Sequence, residues 1–230
     1  MKSSDIKIEV SPAEAISAVI TISERCEPQT AVVVAHGAGN DMNNPLLISF
    51  CAGLAEAGYL TARFNFPYKE HGRKAPDGRE SLELTWRRAL HYIRNKAGYS
   101  LRKIFLAGKS MGGRVASEML AAKTLTADGI IFLGYLLHPA HDKEKLRDRH
   151  LPMIKIPMLF FAGTRDSLCD LALLQVVLRR LGPQVDLEVI EGADHSFNLS
   201  KSSLPDGGRV YDRIARRSIQ WIGGHLKDND

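Results

Sequence analysis

The chain has 230 residues, of which 44% are hydrophobic and 25% charged, a composition typical of a globular protein that buries one sizeable core. Its apolar runs are too short to span a bilayer, and its net charge of +5 comes from basic residues scattered among acidic ones. It lacks the aromatic-interleaved basic tract of a nucleic-acid-binding protein. We therefore expect one domain over residues 1–230, without a membrane segment or a nucleic-acid partner.

The cysteines and the N-terminal segment indicate a compartment. Cys26, Cys51 and Cys169 are widely separated, and the first ten residues, MKSSDIKIEV, lack the apolar stretch of a signal peptide. Scattered single cysteines are typical of a reducing environment. The expected location is the cytoplasm, and the oligomeric state stays open.

Strand-like and helical patterns alternate along the whole chain. Residues 6–10 and 15–23 predict an antiparallel pair at a sheet edge. Branched apolar runs predict six further, parallel strands buried on both faces, at 31–36, 60–66, 103–108, 129–137, 158–163 and 186–191. Apolar residues three and four positions apart predict helices at 45–58, 81–97, after Ser110, at 167–181 and at 211–226. The fold class is therefore predicted as α/β, with a doubly wound, mostly parallel sheet.

The longest connection between the later strands is still short. Only residues 138–157, HPAHDKEKLRDRHLPMIKIP, separate the predicted strands at 129–137 and 158–163. This segment is too short to form a separate cap domain, so we expect an open cleft. An open cleft favours short or polar substrates over long acyl chains held under a lid.

The stretch GKSMGG, residues 108–113, lies where a predicted strand passes into a predicted helix. Such a tight turn forces its central residue into a rarely allowed conformation and requires very small neighbours, which Gly108 and Gly112 supply. This is the G-x-S-x-G pattern that places a serine Oγ above a sheet edge at a helix N-terminus. A serine that merely caps the helix in a glycine-rich turn is the simpler alternative. Ser110 is the candidate nucleophile.

Two other strand ends supply the partners that a serine nucleophile needs. Sites in open parallel sheets form beyond the carboxyl ends of the strands. Asp166 follows one such strand and His195 follows another, so that serine, acid and histidine occur in the chain order typical of this pattern. Asp170 and Asp194 are rival acids. The simpler alternatives are a surface histidine at His195 and a helix N-cap at Asp166.

A third strand end carries the glycine-containing loop HGAGN, residues 36–40. An oxyanion formed on attack by a serine needs two donors, usually the amide after the nucleophile and one from the loop after an early strand. We therefore expect Met111, Gly37 and Ala38 to form this binding site. His36 is expected to orient the loop rather than to act as a base, and an ordinary tight turn is the simpler alternative.

These motifs together resemble the α/β-hydrolase superfamily over nearly the whole chain, and most closely its small dienelactone-hydrolase-like members. Within those, the chain resembles a group of predicted bacterial hydrolases related to a hydrolase-like domain in a subunit of a eukaryotic histone-acetyltransferase complex. The motifs that carry this resemblance are HGAGN, RFNFPY, GKSMGGR, LLHP, GTRD and GADHSF. The resemblance implies the roles nucleophile for Ser110, acid for Asp166 and base for His195. True dienelactone hydrolases use a cysteine nucleophile, so the serine makes a dienelactone substrate doubtful.

Two further groups of residues have simpler explanations than a functional role. His138 and His141 have a spacing that suits a metal, but no carboxylate or cysteine cluster accompanies them, so no metal and no cofactor are predicted. His138 is instead expected in a pocket wall, and Cys169 in helix packing. Four basic residues of the 68–79 segment and Arg114 form either a positive rim that attracts anionic esters or a solvated charged loop. The four are Lys69, Arg73, Lys74 and Arg79.

The sequence thus favours a serine hydrolase that cleaves an ester-type bond of a small molecule through an acyl-enzyme. The alternative is a catalytically idle module of the same fold that serves protein contacts, because fold and motif alone do not guarantee turnover.

Overall fold

The fold is built on one twisted sheet. The structure, a computed structural model, describes residues 1–25, 27–182, 184–199 and 207–227. Within these residues eight strands share the sheet, in the order β1-β2-β4-β3-β5-β6-β7-β8. Their bounds are β1 (Lys2–Ser11), β2 (Glu14–Ile22), β3 (Thr30–Ala35), β4 (Leu60–Phe64), β5 (Lys103–Lys109), β6 (Gly129–Leu133), β7 (Met158–Gly163) and β8 (Val185–Ile190).

The first two strands form the antiparallel edge that the sequence predicts. β1 pairs antiparallel with β2, and β2 pairs antiparallel with β4. All the later pairings are parallel. Exposed and buried residues alternate near the end of β1, as expected for a strand with one solvated face. The doubly wound, mostly parallel sheet is therefore confirmed.

Helices cover both faces of the sheet, and this explains the continuous apolar runs of the central strands. Every residue of β3, β6 and β7 is buried. One face packs against α1 (Pro45–Glu56) and α6 (Gly207–Lys227), and the other against α3 (Arg79–Asn95), α4 (Met111–Ala121) and α5 (Leu171–Leu178). A short helix, α2 (Pro67–Glu70), follows β4. Among the described helices, none combines the length and apolar character that crossing a bilayer requires.

Several predicted boundaries differ from the structure by two to four residues, and two of the differences have an identifiable cause. β6 ends at Leu133 rather than at residue 137, because Gly134 takes a φ of +74° and turns the chain out of the sheet. α5 begins at Leu171 rather than at residue 167, because the side chain of Asp170 accepts a hydrogen bond from Leu173 N and caps the helix there.

The connection between β6 and β7 contains no cap domain. Of its residues, all of which the structure describes, only Leu151–Met153 form a turn of 3₁₀ helix. The absence of a cap domain in this connection agrees with the short segment, residues 138–157, between the two strands predicted from the sequence. The expectation of one domain over residues 1–230 stays a prediction.

The junction between β5 and α4 is packed backbone against backbone. A Cβ placed on Gly108 would lie 2.2 Å from Gly113 N and 2.3 Å from Gly113 Cα. No side chain fits there unless the helix moves away from the strand, because the obstructing atoms belong to the main chain rather than to a flexible side chain. Glycine at position 108 is therefore required by contact and not by its dihedral angles.

We predict that Gly108→Ala lowers the free energy of unfolding by about 2–3 kcal/mol through overpacking. Gly223→Ala is the matched control, since a Cβ on this α6 glycine meets nothing within 4 Å. That substitution is expected to raise stability by about 0.5–1 kcal/mol through helix propensity. Urea unfolding followed by circular dichroism measures both, and equal midpoints for Gly108→Ala and the wild type would contradict the prediction.

Candidate active site

Ser110 lies at the turn from β5 into α4 in a strained backbone conformation. Its φ is 51° and its ψ is −112°, values that a side-chain-bearing residue rarely adopts. The Ser110 amide donates to the carbonyl of Gly134 at 3.1 Å, which ties the turn to the end of β6. The side chain of Ser110 makes no cap bond to its own helix, so its Oγ is available to other partners.

His195 and Asp166 meet Ser110 at this point, in one chain of hydrogen bonds. His195 Nε2 lies 2.9 Å from Ser110 Oγ. His195 Nδ1 lies 2.9 and 2.8 Å from the two carboxylate oxygens of Asp166. The Asp166 side chain is fully buried, whereas that of His195 is 17% exposed. The structure thus brings together the three side chains that the sequence singles out, with the carboxylate buried and the imidazole partly exposed.

The local fold explains why Asp166, rather than its rivals, faces the histidine. Asp166 follows β7 in a tight turn in which its amide donates to Gly163 O at 3.2 Å and its Oδ1 accepts from Leu168 N at 2.8 Å. The Asp170 carboxylate caps α5 and pairs with Lys143, which lowers its pKa. The Asp194 carboxylate accepts from the amides of its own loop, and neither rival hydrogen-bonds to His195.

The loop after β3 presents its backbone to Ser110. A Cβ placed on Gly37 would lie only 3.3 Å from Ser110 Cβ, so the loop backbone passes close beside the serine and leaves little room for a side chain. The Gly37 carbonyl accepts from His36 Nδ1 at 2.8 Å, and the Ala38 carbonyl accepts from the Tyr68 hydroxyl at 2.9 Å. In a planar trans peptide the N–H points opposite to the C=O. The Ala38 amide therefore points away from His36.

The amide of Met111 is the other expected donor. It is the first residue of α4, and the first four amides of a helix have no acceptor within the helix. The helix N-terminus also favours negative charge at this position. Met111 N and Ala38 N are thus candidate backbone donors beside Ser110, and their role in binding an oxyanion stays a prediction.

His36 holds the loop, as the sequence predicts, and it does so as a neutral ring. It is fully buried, and its Nε2 accepts from Phe66 N at 3.1 Å while its Nδ1 donates to Gly37 O. Burial lowers its pKa to about 4. A protonated ring cannot accept at Nε2, so these two bonds require the neutral form.

Three residues at the site were missed by sequence reasoning. Tyr68 holds the Ala38 carbonyl, Gly134 accepts from the Ser110 amide, and the buried Lys109 donates from Nζ to the backbone carbonyl of His195 at 2.6 Å. Lys109 gives a signal in the sequence, because a lysine at the end of a strand buried on both faces places a charge in the core. No comparable signal marks Tyr68.

The basic residues near the cleft are mostly paired with carboxylates. Arg73 pairs with Asp77 at 2.5 Å, and Arg79 pairs with Glu83 at 2.6 Å. Arg114 pairs with Glu118 within its own helix, also at 2.6 Å. Each pair is separated by four residues. The structure therefore favours the solvated charged loop over the positive rim.

The remaining sequence candidates have structural roles or lie outside the site. His138 is buried, with Nδ1 donating to Pro139 O and Nε2 accepting from Asp170 N, so the expectation of a pocket wall was wrong. Across the described residues, no group of three or more metal-binding side chains occurs. Cys51 and Cys169 are buried free thiols whose pKa values are raised by burial, and Cys26 lies outside the described residues.

This sheet order, with a serine on a strained strand–helix turn and histidine and aspartate at later strand ends, is the architecture of the α/β hydrolases. Residues 28–223 match the model of the alpha/beta hydrolase domain family, and the chain belongs to that family. The relation to a histone-acetyltransferase subunit stays a prediction from resemblance.

Solved structures show the same fold over nearly the whole chain. An alpha-beta serine hydrolase homologue from Coxiella burnetii matches with a TM-score of 0.75 at 20% identity, covering 94% of this chain and 98% of that one. A dienelactone hydrolase from Anabaena variabilis matches with 0.74 at 19% identity, covering 97% of each. A carboxyl esterase from Bacillus coagulans matches with 0.75 at 14% identity, covering 98% and 99%. At these identities the likeness shows the fold.

We predict that His36 makes the protein less stable in acid. Its folded pKa of about 4 lies below the ordinary value of 6.5, so between these values the unfolded chain binds a proton that the folded chain does not. Stability is therefore full above pH 6.5 and falls as the pH drops towards 4. Between pH 7 and 4.5 the wild type should lose about 2–3 kcal/mol more than His36→Gln. Urea unfolding at the two pH values measures the difference, and parallel losses would contradict it.

Proposed function

We propose that the protein is a serine hydrolase that cleaves an ester-type bond through an acyl-enzyme on Ser110. The observation that carries the proposal is the hydrogen-bond chain from Ser110 Oγ through both nitrogens of His195 to the buried Asp166. A serine hydroxyl is a weak nucleophile at neutral pH, and this arrangement supplies a base and a carboxylate to orient that base.

In the first half of the proposed reaction, Ser110 Oγ attacks the substrate carbonyl carbon while His195 Nε2 takes the hydroxyl proton. Asp166, which accepts at Nδ1, stabilises the imidazolium and keeps the ring in the tautomer whose Nε2 is free to accept. The carbonyl oxygen becomes an oxyanion, which the amides of Met111 and of the Gly37–Ala38 loop would bind. Collapse expels the alcohol, which takes the proton from His195.

In the second half, a water molecule replaces the alcohol. His195 takes a proton from the water, the resulting hydroxide attacks the acyl carbon, and the same amides bind the second oxyanion. The bond to Ser110 Oγ then breaks, and His195 returns the proton to that oxygen. The products are a carboxylic acid and the free enzyme, and neither half needs a metal or a cofactor.

The substrate class follows from the open edge of the sheet. The 134–157 connection forms no cap above the site, so a short or polar ester or thioester of a small molecule fits better than a long acyl chain. Likeness to a carboxyl esterase and to a dienelactone hydrolase supports ester-type chemistry. The cytoplasmic location expected from the sequence stays part of this proposal.

A fluorophosphonate probe tests whether Ser110 is activated. The probe reacts with a serine that has lost its proton to a base, so the purified wild type should be labelled and Ser110→Ala should not. Ser117 provides a matched control. It is a buried α4 serine whose Oγ donates to Arg114 O, and Ser117→Ala should keep the label. A folded wild type that takes no label would favour the idle interaction module.

We predict that Asp166→Asn reduces turnover of a p-nitrophenyl ester by about 10³–10⁴-fold while the protein stays folded. The Asn oxygen can still accept from Leu168 N, so its NH₂ group would face His195 and favour the wrong tautomer. Asp170→Asn is the matched control, because it changes a carboxylate only four residues away that caps a helix.

The control is expected to keep turnover within about twofold, since an asparagine caps a helix as well as an aspartate does. Steady-state kinetics with a thermal melt of each variant measures both effects. A large loss in Asp170→Asn together with normal turnover in Asp166→Asn would assign the acid to the wrong carboxylate.

A further inference from the structure

Lys109 is a charged residue inside the core, directly before the proposed nucleophile. It is the last residue of β5 and is only 3% exposed. Its Nζ donates to the backbone carbonyl of His195 at 2.6 Å, a contact across 86 residues of sequence. This bond joins the strand that carries Ser110 to the loop that carries its proposed base.

The surroundings of the ammonium group are closely packed. A Cβ placed on Gly134 would lie 3.2 Å from the His195 carbonyl oxygen, 3.4 Å from Lys109 Nζ and 3.6 Å from His195 Cε1. A Cβ on Gly37 would lie 3.4 Å from Lys109 Cγ. The lysine stem and its charged end therefore fill the space between the oxyanion loop, the end of β6 and the edge of the imidazole ring.

Burying an ammonium group is costly unless it is paired, and the acceptor of Lys109 among the described residues is a neutral carbonyl. The charged groups that act on it are the carboxylates of Asp166, after β7, and Asp194, beside His195. Burial lowers the pKa of Lys109 to about 8 against the attraction of these two carboxylates. A leucine or methionine would fill the same space without this cost, so packing alone does not explain a lysine here.

We propose that Lys109 is a positioning residue that holds the backbone of His195 and thereby keeps its imidazole within hydrogen-bond distance of Ser110. This inference rests on the proposed function. Asp166 restrains the ring through Nδ1, and Lys109 restrains the main chain of the same residue, so the base is held at two points. The Lys109 amine can donate in either protonation state, and its charged form makes the stronger hydrogen bond.

The consequence for rate follows from the sensitivity of proton transfer to geometry. A displacement of a catalytic group by about 1 Å can cost about 10²-fold in rate. Without its lysine, the His195 carbonyl loses the hydrogen bond from Nζ, and the ring keeps only its side-chain contacts with Asp166 and Ser110. Loss of the lysine should therefore reduce the rate of the chemical step and leave substrate binding nearly unchanged.

Lys109→Met tests the proposal, because methionine has a similar length but carries neither charge nor donor. Lys103→Met is the matched control, since Lys103 lies at the other end of the same strand and pairs with Asp128 far from the site. Four measurements are made on the wild type and both variants: thermal melting, the rate constant of fluorophosphonate labelling at pH 7 and pH 9.5, and kcat and KM for p-nitrophenyl acetate at pH 7.

We expect Lys109→Met to melt at or above the wild-type temperature, because a buried charge has been removed. Its labelling rate constant and kcat at pH 7 should fall by about 10–100-fold, with KM within about twofold. At pH 9.5 the wild-type amine has lost its charge, so the difference in labelling should shrink by at least about threefold. Lys103→Met should match the wild type in labelling and kinetics.

Three outcomes would overturn the proposal. Lys109→Met with wild-type labelling and kcat would show that the bond positions nothing of consequence. An equal loss at both pH values, accompanied by a lower melting temperature, would assign Lys109 to packing. In both cases a labelled wild type leaves the proposed function intact. A wild type that takes no label at all removes both proposals.

Discussion

The rest of the structure is arranged around the strained backbone conformation of Ser110. A φ of 51° at a residue with a side chain is unfavourable by about 1–3 kcal/mol and persists only where the surroundings fix it. Three contacts do so here. The Ser110 amide is held by Gly134 O, Gly108 touches the backbone of Gly113, and a Cβ on Gly112 would lie 2.6 Å from His36 O. The turn that exposes Oγ is therefore the same turn that brings α4 against β3 and β5.

Buried histidines hold the loops that surround this turn. His36 and His138 each donate from Nδ1 to the carbonyl of the following residue and accept at Nε2 from a distant amide, Phe66 N or Asp170 N. Both nitrogens are satisfied by the backbone, so these rings connect segments and transfer no protons. His195 differs, because side chains occupy both of its nitrogens. The hydrogen-bond partners, more than exposure alone, distinguish the three rings.

Much of this architecture could be predicted from the sequence, because the strongest signals are periodic. Continuous branched runs between helical patterns identified the parallel strands, and the rule that sites form at strand ends brought Ser110, Asp166 and His195 to one edge. The misplaced ends of β6 and α5 depend on single residues. Gly134 ends β6 through its dihedral angle, and Asp170 begins α5 through its side-chain cap. An apolar pattern reveals neither.

The contacts that sequence reasoning missed are those between residues far apart in the chain. Lys109 reaches His195, and Tyr68 reaches Ala38 through its hydroxyl, and neither partner can be identified from spacing. The partners of the basic residues near the site, by contrast, are close in the sequence. Arg79 and Arg114 each precede an acidic residue by four positions, a spacing that favours ion pairs on a helix surface and is visible in the sequence. Arg73 pairs with Asp77 at the same spacing within the loop before α3.

The pairing of these arginines also determines which charges matter at the site. Exposed ion pairs contribute little to stability, about 0–1 kcal/mol, and salt screens exposed charges over about 10 Å. Buried charges are screened much less, and two of them, Asp166 and Lys109, contact opposite ends of His195 through its ring and its carbonyl. The two buried charged side chains that contact the proposed base therefore lie inside the core, at the end of β5 and just after β7, and not among the paired arginines of the surface.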